Sequence, residues 1–92
     1  MKTRDVLPYM KSFSMCLREM VREGYTDNFR ATDKGLCSLI TQKFYLPKAY
    51  TVVNYFLFEG MFNPNENAMI YVIETEDGLK GTMVDISKTS AD

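Results

Sequence analysis

The chain has 92 residues, of which 46% are hydrophobic, 13% aromatic and 25% charged, a make-up that excludes a disordered or fibrous protein and fits one globular domain over residues 1–92. Eleven basic residues against twelve acidic ones leave a net charge of −1, which removes any bulk attraction to nucleic acid or an anionic membrane. Histidine is absent, so the usual general base near neutral pH and the commonest transition-metal ligand are both missing.

The opening Met1-Lys2-Thr3-Arg4-Asp5 is polar and no apolar h-region follows it, so no secretory signal is expected. Val6, Met10, Phe13, Leu17, Met20 and Val21 then draw one apolar stripe at helical spacing. Asp5 is placed to cap this helix, Pro8 fits its first turn, and Gly24 stands where a left-handed terminating residue is wanted, with Tyr25 folding back behind it. Lys11, Arg18 and Arg22 share the flank opposite the stripe and form a candidate anion site, although Glu19 and Glu23 alongside fit a solvated face.

From Thr26 to Asn54 the pattern is mixed. Turn formers (Thr26-Asp27-Asn28, Thr32-Asp33-Lys34-Gly35) alternate with apolar residues that fit either period. Leu36, Leu39, Ile40 and Phe44 suit a short helix, whereas alternation over Cys37, Leu39 and Thr41 suits a strand, and both readings stay open. Pro47 ends what precedes it, and Thr51-Val52-Val53 opens the β-rich half. Cys16 and Cys37 have no CxxC spacing and read as reduced packing residues of a cytoplasmic protein. No apolar run approaches the roughly 20 residues of a membrane span.

The C-terminal half spells an antiparallel meander: Tyr55 to Glu59, Met69 to Glu74 and Leu79 to Ile86, separated by Asn63-Pro64-Asn65 and Asp77-Gly78. A two-residue Asp77-Gly78 turn pairs Val72 with Met83 and sets Met69, Tyr71, Ile73, Val84 and Ile86 on one face, the expected floor for the helix. A three-residue loop with Gly78 in a bulge instead sets Glu74 opposite Lys80. Apolar residues occur on both faces of the central strand, so something besides one helix must cover the sheet. The expected fold is α+β, an N-terminal amphipathic helix packed on an antiparallel sheet of three to five strands.

Glu59 follows an aromatic strand and precedes Gly60; with Asn63 and Glu66 it makes a candidate ligand site at a turn. Acidic sheet turns are commonly just solvated, and no calcium loop, P-loop or GxGxxG is present, so no metal or cofactor is expected.

Phe58-Glu59-Gly60-Met61, Asn63-Pro64, Tyr71-Val72-Ile73, Asp77-Gly78, Lys80-Gly81 and Val84-Asp85, taken in order, resemble a family of short uncharacterised bacterial proteins often labelled phosphoribosylpyrophosphate synthetase. The chain departs from that pattern at Leu57, where arginine is usual, and at Ile86-Ser87-Lys88. Full synthetases are several times longer and use histidine-containing loops, so the resemblance implies no catalytic residue here. The residues together suggest a non-enzymatic cytoplasmic interaction or regulatory module that self-associates or binds a protein partner. The alternative is a nucleotide or sugar-phosphate binding protein or minor enzyme of phosphoribosyl metabolism.

Overall fold

A computed structural model describes residues 9–60 and 64–88, with side chains from Ser12 to Gly60 and from Pro64 to Ser87. Helix α1 (Tyr9–Arg22) is followed by strands β1 (Asp27–Thr32), β2 (Gly35–Ser38), β3 (Phe44–Tyr45), β4 (Tyr50–Glu59), β5 (Glu66–Thr75) and β6 (Lys80–Lys88), with a 3-10 turn at Pro47–Ala49. The strands form one sheet in the order β3-β2-β1-β6-β5-β4. The α+β class therefore holds, but the sheet has six strands rather than three to five. It is also mixed, because β1 runs parallel to β6 through Asp27↔Gly81 and Asn28↔Thr82.

Helix α1 ends as its sequence suggests. Gly24 has φ +102, the Tyr25 amide donates to the Met20 carbonyl at 2.9 Å, and the Gly24 amide donates to the Val21 carbonyl at 3.0 Å. This pair of bonds is a Schellman ending, and it satisfies carbonyls the last turn would leave open. The Asp5 cap and Pro8 lie outside the described residues. Phe13 and Met20 of the stripe are buried, while Val21 is displaced to its exposed shoulder.

The middle segment resolves into strands, not a helix. Gly35, with φ +118, closes a hairpin on Thr32, and Leu36 and Ser38 point inward while Leu39 and Ile40 lie exposed in a turn. Asp27 and Asn28, read as turn formers, instead begin β1. Asp27 is only 2% exposed; its Oδ2 accepts the Ser38 hydroxyl at 2.6 Å and its Oδ1 accepts the Ile40 amide at 3.3 Å. Buried carboxylates are tolerated only with such partners. This knot shapes the turn that leads into β3.

The hairpin register is the three-residue form. Glu74 opposes Lys80 and Tyr71 opposes Met83, the Thr75 amide donates to the Leu79 carbonyl at 2.9 Å, and Gly78 takes φ +98. The two-residue turn is thus corrected: its I′ form needs a positive φ at Asp77 as well as at Gly78, and in this loop the left-handed position falls on Gly78 and not on Asp77. The helix floor is corrected with it. Phe13 packs on Ala68 and Ile70 with Phe56, Phe58, Cys16 and Leu17 around it, and its ring meets that of Phe58 edge-on at 5.3 Å. Met69, Tyr71 and Ile73 face the other way.

Part of that other face is covered by the middle segment. Phe29, Leu36 and Tyr45 close over Ile73 in a second core, joined by Tyr50, Tyr71, Leu79 and Met83. The β1-β2-β3 half of the sheet therefore curls across the β5-β6 hairpin, and α1 holds the opposite face. Gly81 makes the seam possible, because a Cβ there would strike the Asp27 backbone.

Candidate functional site

Of the residues singled out in the sequence, Glu59, Gly60 and Glu66 do meet, at the β4-β5 connection. The Gly60 amide donates to the Glu66 carbonyl at 2.8 Å, and Glu59 pairs with Asn67. Asn63 lies outside the described residues. The arrangement is that of a turn: Gly60, at φ +65, reverses the chain, and Glu59 is exposed. No group of three or more Cys, Asp or Glu side chains able to hold a metal occurs among the described residues. On α1, Arg18 and Arg22 are exposed and Arg22 pairs with Glu19 at 3.3 Å; the Lys11 side chain lies outside the described residues.

Asp77, marked in the sequence as a turn residue, stands at the centre of a polar cluster whose other members the sequence did not bring together with it. Its Oδ2 accepts the Lys43 ammonium at 2.6 Å and the Tyr45 hydroxyl at 2.9 Å, and its Oδ1 accepts the Thr75 hydroxyl at 2.5 Å. These bonds, the Lys43 bond first, hold the Asp77 carboxyl well below the usual carboxylate range. Burial and the same carboxylate push the Tyr45 phenol up. The effect of the cluster is to strap β3 to the β5-β6 turn. A similar contact lies at the same end of the hairpin, on the pair next to the turn: the Tyr25 hydroxyl donates to Glu74 at 2.6 Å, and the Lys80 ammonium sits 4.7 Å from the Tyr25 ring centre.

An uncovered apolar surface lies on β4, a ten-residue strand at the edge of the sheet. Phe56 and Phe58 turn toward α1, while Tyr55 and Leu57, in register with Tyr71 and Met69, turn to the face that the middle segment does not reach. Tyr55 is 62% exposed and Leu57 49% exposed, and Val52 and Val53 beside them are also exposed. The only charged residue of the strand is Glu59 at its end.

The backbone of this edge is partly closed. Because Thr75 bonds toward β6, alternation along β5 turns Ile70 and Val72 toward β4, which leaves the Tyr55 and Leu57 backbone groups facing outward. Asn54 Oδ1 accepts the Tyr55 amide at 2.9 Å, so the donor at mid-strand is already taken. A bulge between Val52 and Asn54 further interrupts the ladder. The exposed side-chain face, more than the backbone edge, is open for contact.

No helix among the described residues is long and apolar enough to cross a membrane. Comparison of the chain with protein-family models, with curated proteins and with solved structures gave no match.

Proposed function

We propose that this chain is a non-enzymatic interaction module that associates with a second copy of itself through the uncovered face of β4. The observation that carries this reading is the row Val52, Tyr55, Leu57 on an edge strand with no lysine, arginine or proline in its length. Monomeric proteins break up such rows with charge. Tyrosine and methionine beside it, at Tyr55 and Met69, are residue types enriched at protein contacts. The Asn54 bond favours face-to-face packing of two copies over extension of the sheet, since ladder pairing must first break it. Two free thiols, Cys16 and Cys37, support a cytoplasmic setting. The resemblance to short bacterial proteins at Phe58-Glu59-Gly60 is part of this reading and brings no catalytic residue with it.

Sedimentation equilibrium tests it. The wild-type chain is expected to show a concentration-dependent dimer, and Leu57→Lys to sediment as a folded monomer, because the exposed lysine stays hydrated only when the face is free. A wild-type chain that stays monomeric to millimolar concentration overturns the reading.

A further inference from the structure

The seam between β1 and β6 opens into a cleft. The two strands are paired only at Asp27↔Gly81 and Asn28↔Thr82, yet β1 runs on to Thr32 and β6 to Lys88. Between the parting strands lies a cleft of about 440 Å³, within the range of ligand-binding sites, with Phe29 and Met83 on one side and Leu39 and Val84 among its other walls.

The backbone of both walls points into it. The Leu39 amide bonds the Asn28 carbonyl, so Asn28 and Arg30 turn toward β2, and Phe29 and Ala31 turn toward the cleft. The Leu79 carbonyl accepts from Thr75, so Leu79, Gly81, Met83 and Asp85 turn toward β5, and Val84 and Ile86 turn toward the cleft. The Asn28↔Thr82 pairing itself uses the Phe29 amide; past it no strand takes up the groups of Ala31, Val84 and Ile86 among the described residues. Two facing rows of amides and carbonyls with an apolar lining are what an extended backbone recognises.

The walls also carry charge, one sign on each face. Asp85 shares the face of Met69 and Met83, and Arg30 lies on the opposite face, with Val84. Both are exposed, and among the described residues neither forms an ion pair. We propose that this cleft takes an extended segment of another protein, inserted as a strand antiparallel to β1 and β6, with a basic side chain against Asp85 and the following acidic side chain against Arg30. The order follows from the geometry. Continuing the Asn28↔Thr82 register sets Arg30 level with Val84 and Asp85 one step further, so a strand running the other way meets Asp85 first. The cleft is separated from β4 by β5 and β6, so this docking goes beyond the self-association above and is independent of it.

The test uses the full chain carrying Leu57→Lys, so that self-association does not enter, and two blocked hexapeptides of identical composition. The probe is Thr-Val-Lys-Glu-Val-Thr and the control Thr-Val-Glu-Lys-Val-Thr. Amide NMR titration with the probe is expected to give saturable shifts at Ala31, Val84 and Ile86, with slowed hydrogen exchange there. The control is expected to bind roughly threefold to tenfold more weakly, the scale of two exposed charge pairs reversed. The double variant Arg30→Glu with Asp85→Lys should invert that preference. The proposal is overturned by an absence of shifts at those amides at millimolar probe, by equal binding of the two peptides, or by shifts there that depend on protein concentration alone, which would assign the cleft to a second copy.

Discussion

The Tyr45 hydroxyl donates to Asp77 at 2.9 Å across a sequence separation of 32 residues, and this bond ties the last strand of the curled half-sheet to the β5-β6 turn. Tyr45 is a buried member of the core over Ile73, so the bond holds its ring in place as well as its hydroxyl. Lys43 and Thr75 complete the coordination of the same carboxylate.

Replacement of Asp77 by Ala is therefore expected to free Lys43, Tyr45 and Thr75 together and to loosen β3 without unfolding α1. Hydrogen exchange should accelerate at Phe44 and Tyr45 while the Leu17 and Met20 amides keep their protection. Tyr45→Phe, which keeps the ring, should cost about 1 kcal/mol by chemical denaturation, the net worth of one such bond.

The same cluster sets a pH dependence. The folded Asp77 carboxyl ionises below its ordinary range, so its contribution is complete above about pH 4 and is lost as pH falls through the lower folded value. The Tyr45 and Tyr25 phenols are raised, Tyr25 chiefly by its bond to Glu74, so their contribution is complete below about pH 10 and is lost above it. Melting temperature should form a plateau between these limits, and Asp77→Asn should flatten the acidic limb.

Asp27 should be the least replaceable carboxylate. Asp27→Ala leaves the buried Ser38 hydroxyl and the Ile40 amide without their acceptor, a loss expected to cost about 2 to 4 kcal/mol in urea unfolding. Asp27→Asn keeps the shape and one acceptor oxygen and should cost less.

Gly81→Ala is expected to separate the two half-sheets. A Cβ at this position meets the Asp27 backbone, which cannot yield as a side-chain tip can, so destabilisation of about 1 to 3 kcal/mol or more is expected. Gly78→Ala, with open space around it, should cost only the strain of its positive φ. The ordering of the two unfolding midpoints checks the seam.

Asn54→Ala releases the Tyr55 amide on the β4 edge. Loss of this guard should convert a defined dimer into larger species, seen as a rise in light scattering with concentration. A variant with unchanged mass would show that the amide is not what limits growth of the sheet.

Helix α1, its Schellman end at Gly24 and Tyr25, and the existence of the β4-β5-β6 meander were legible because each depends on residues close in sequence: a 3.6-residue period, a left-handed glycine, turn formers between β-branched runs. Candidate Glu59 was legible in the same way and stands at the end of β4, just before the turn at Gly60. The face that α1 covers was not legible, since Ile70 and Val72 are as apolar as Tyr71 and Ile73, and a period of two does not choose between equally apolar sides. One extra residue in the Asp77-Gly78 loop chose for it.

By itself, the order of the amino acids determined helix α1 with its ending and the β4-β5-β6 meander, because backbone preference and side-chain period act over a few neighbouring positions; the segment that forms β1, β2 and β3 it left open between helix and strand. Only the tertiary structure decided that β1 lies parallel to β6 against Gly81, that Asp27 and Asp77 organise distant segments, and that the strands part beyond Thr82. Those outcomes rest on close approach and on the satisfaction of buried polar groups between residues far apart in the chain, and such pairings leave no local pattern to read.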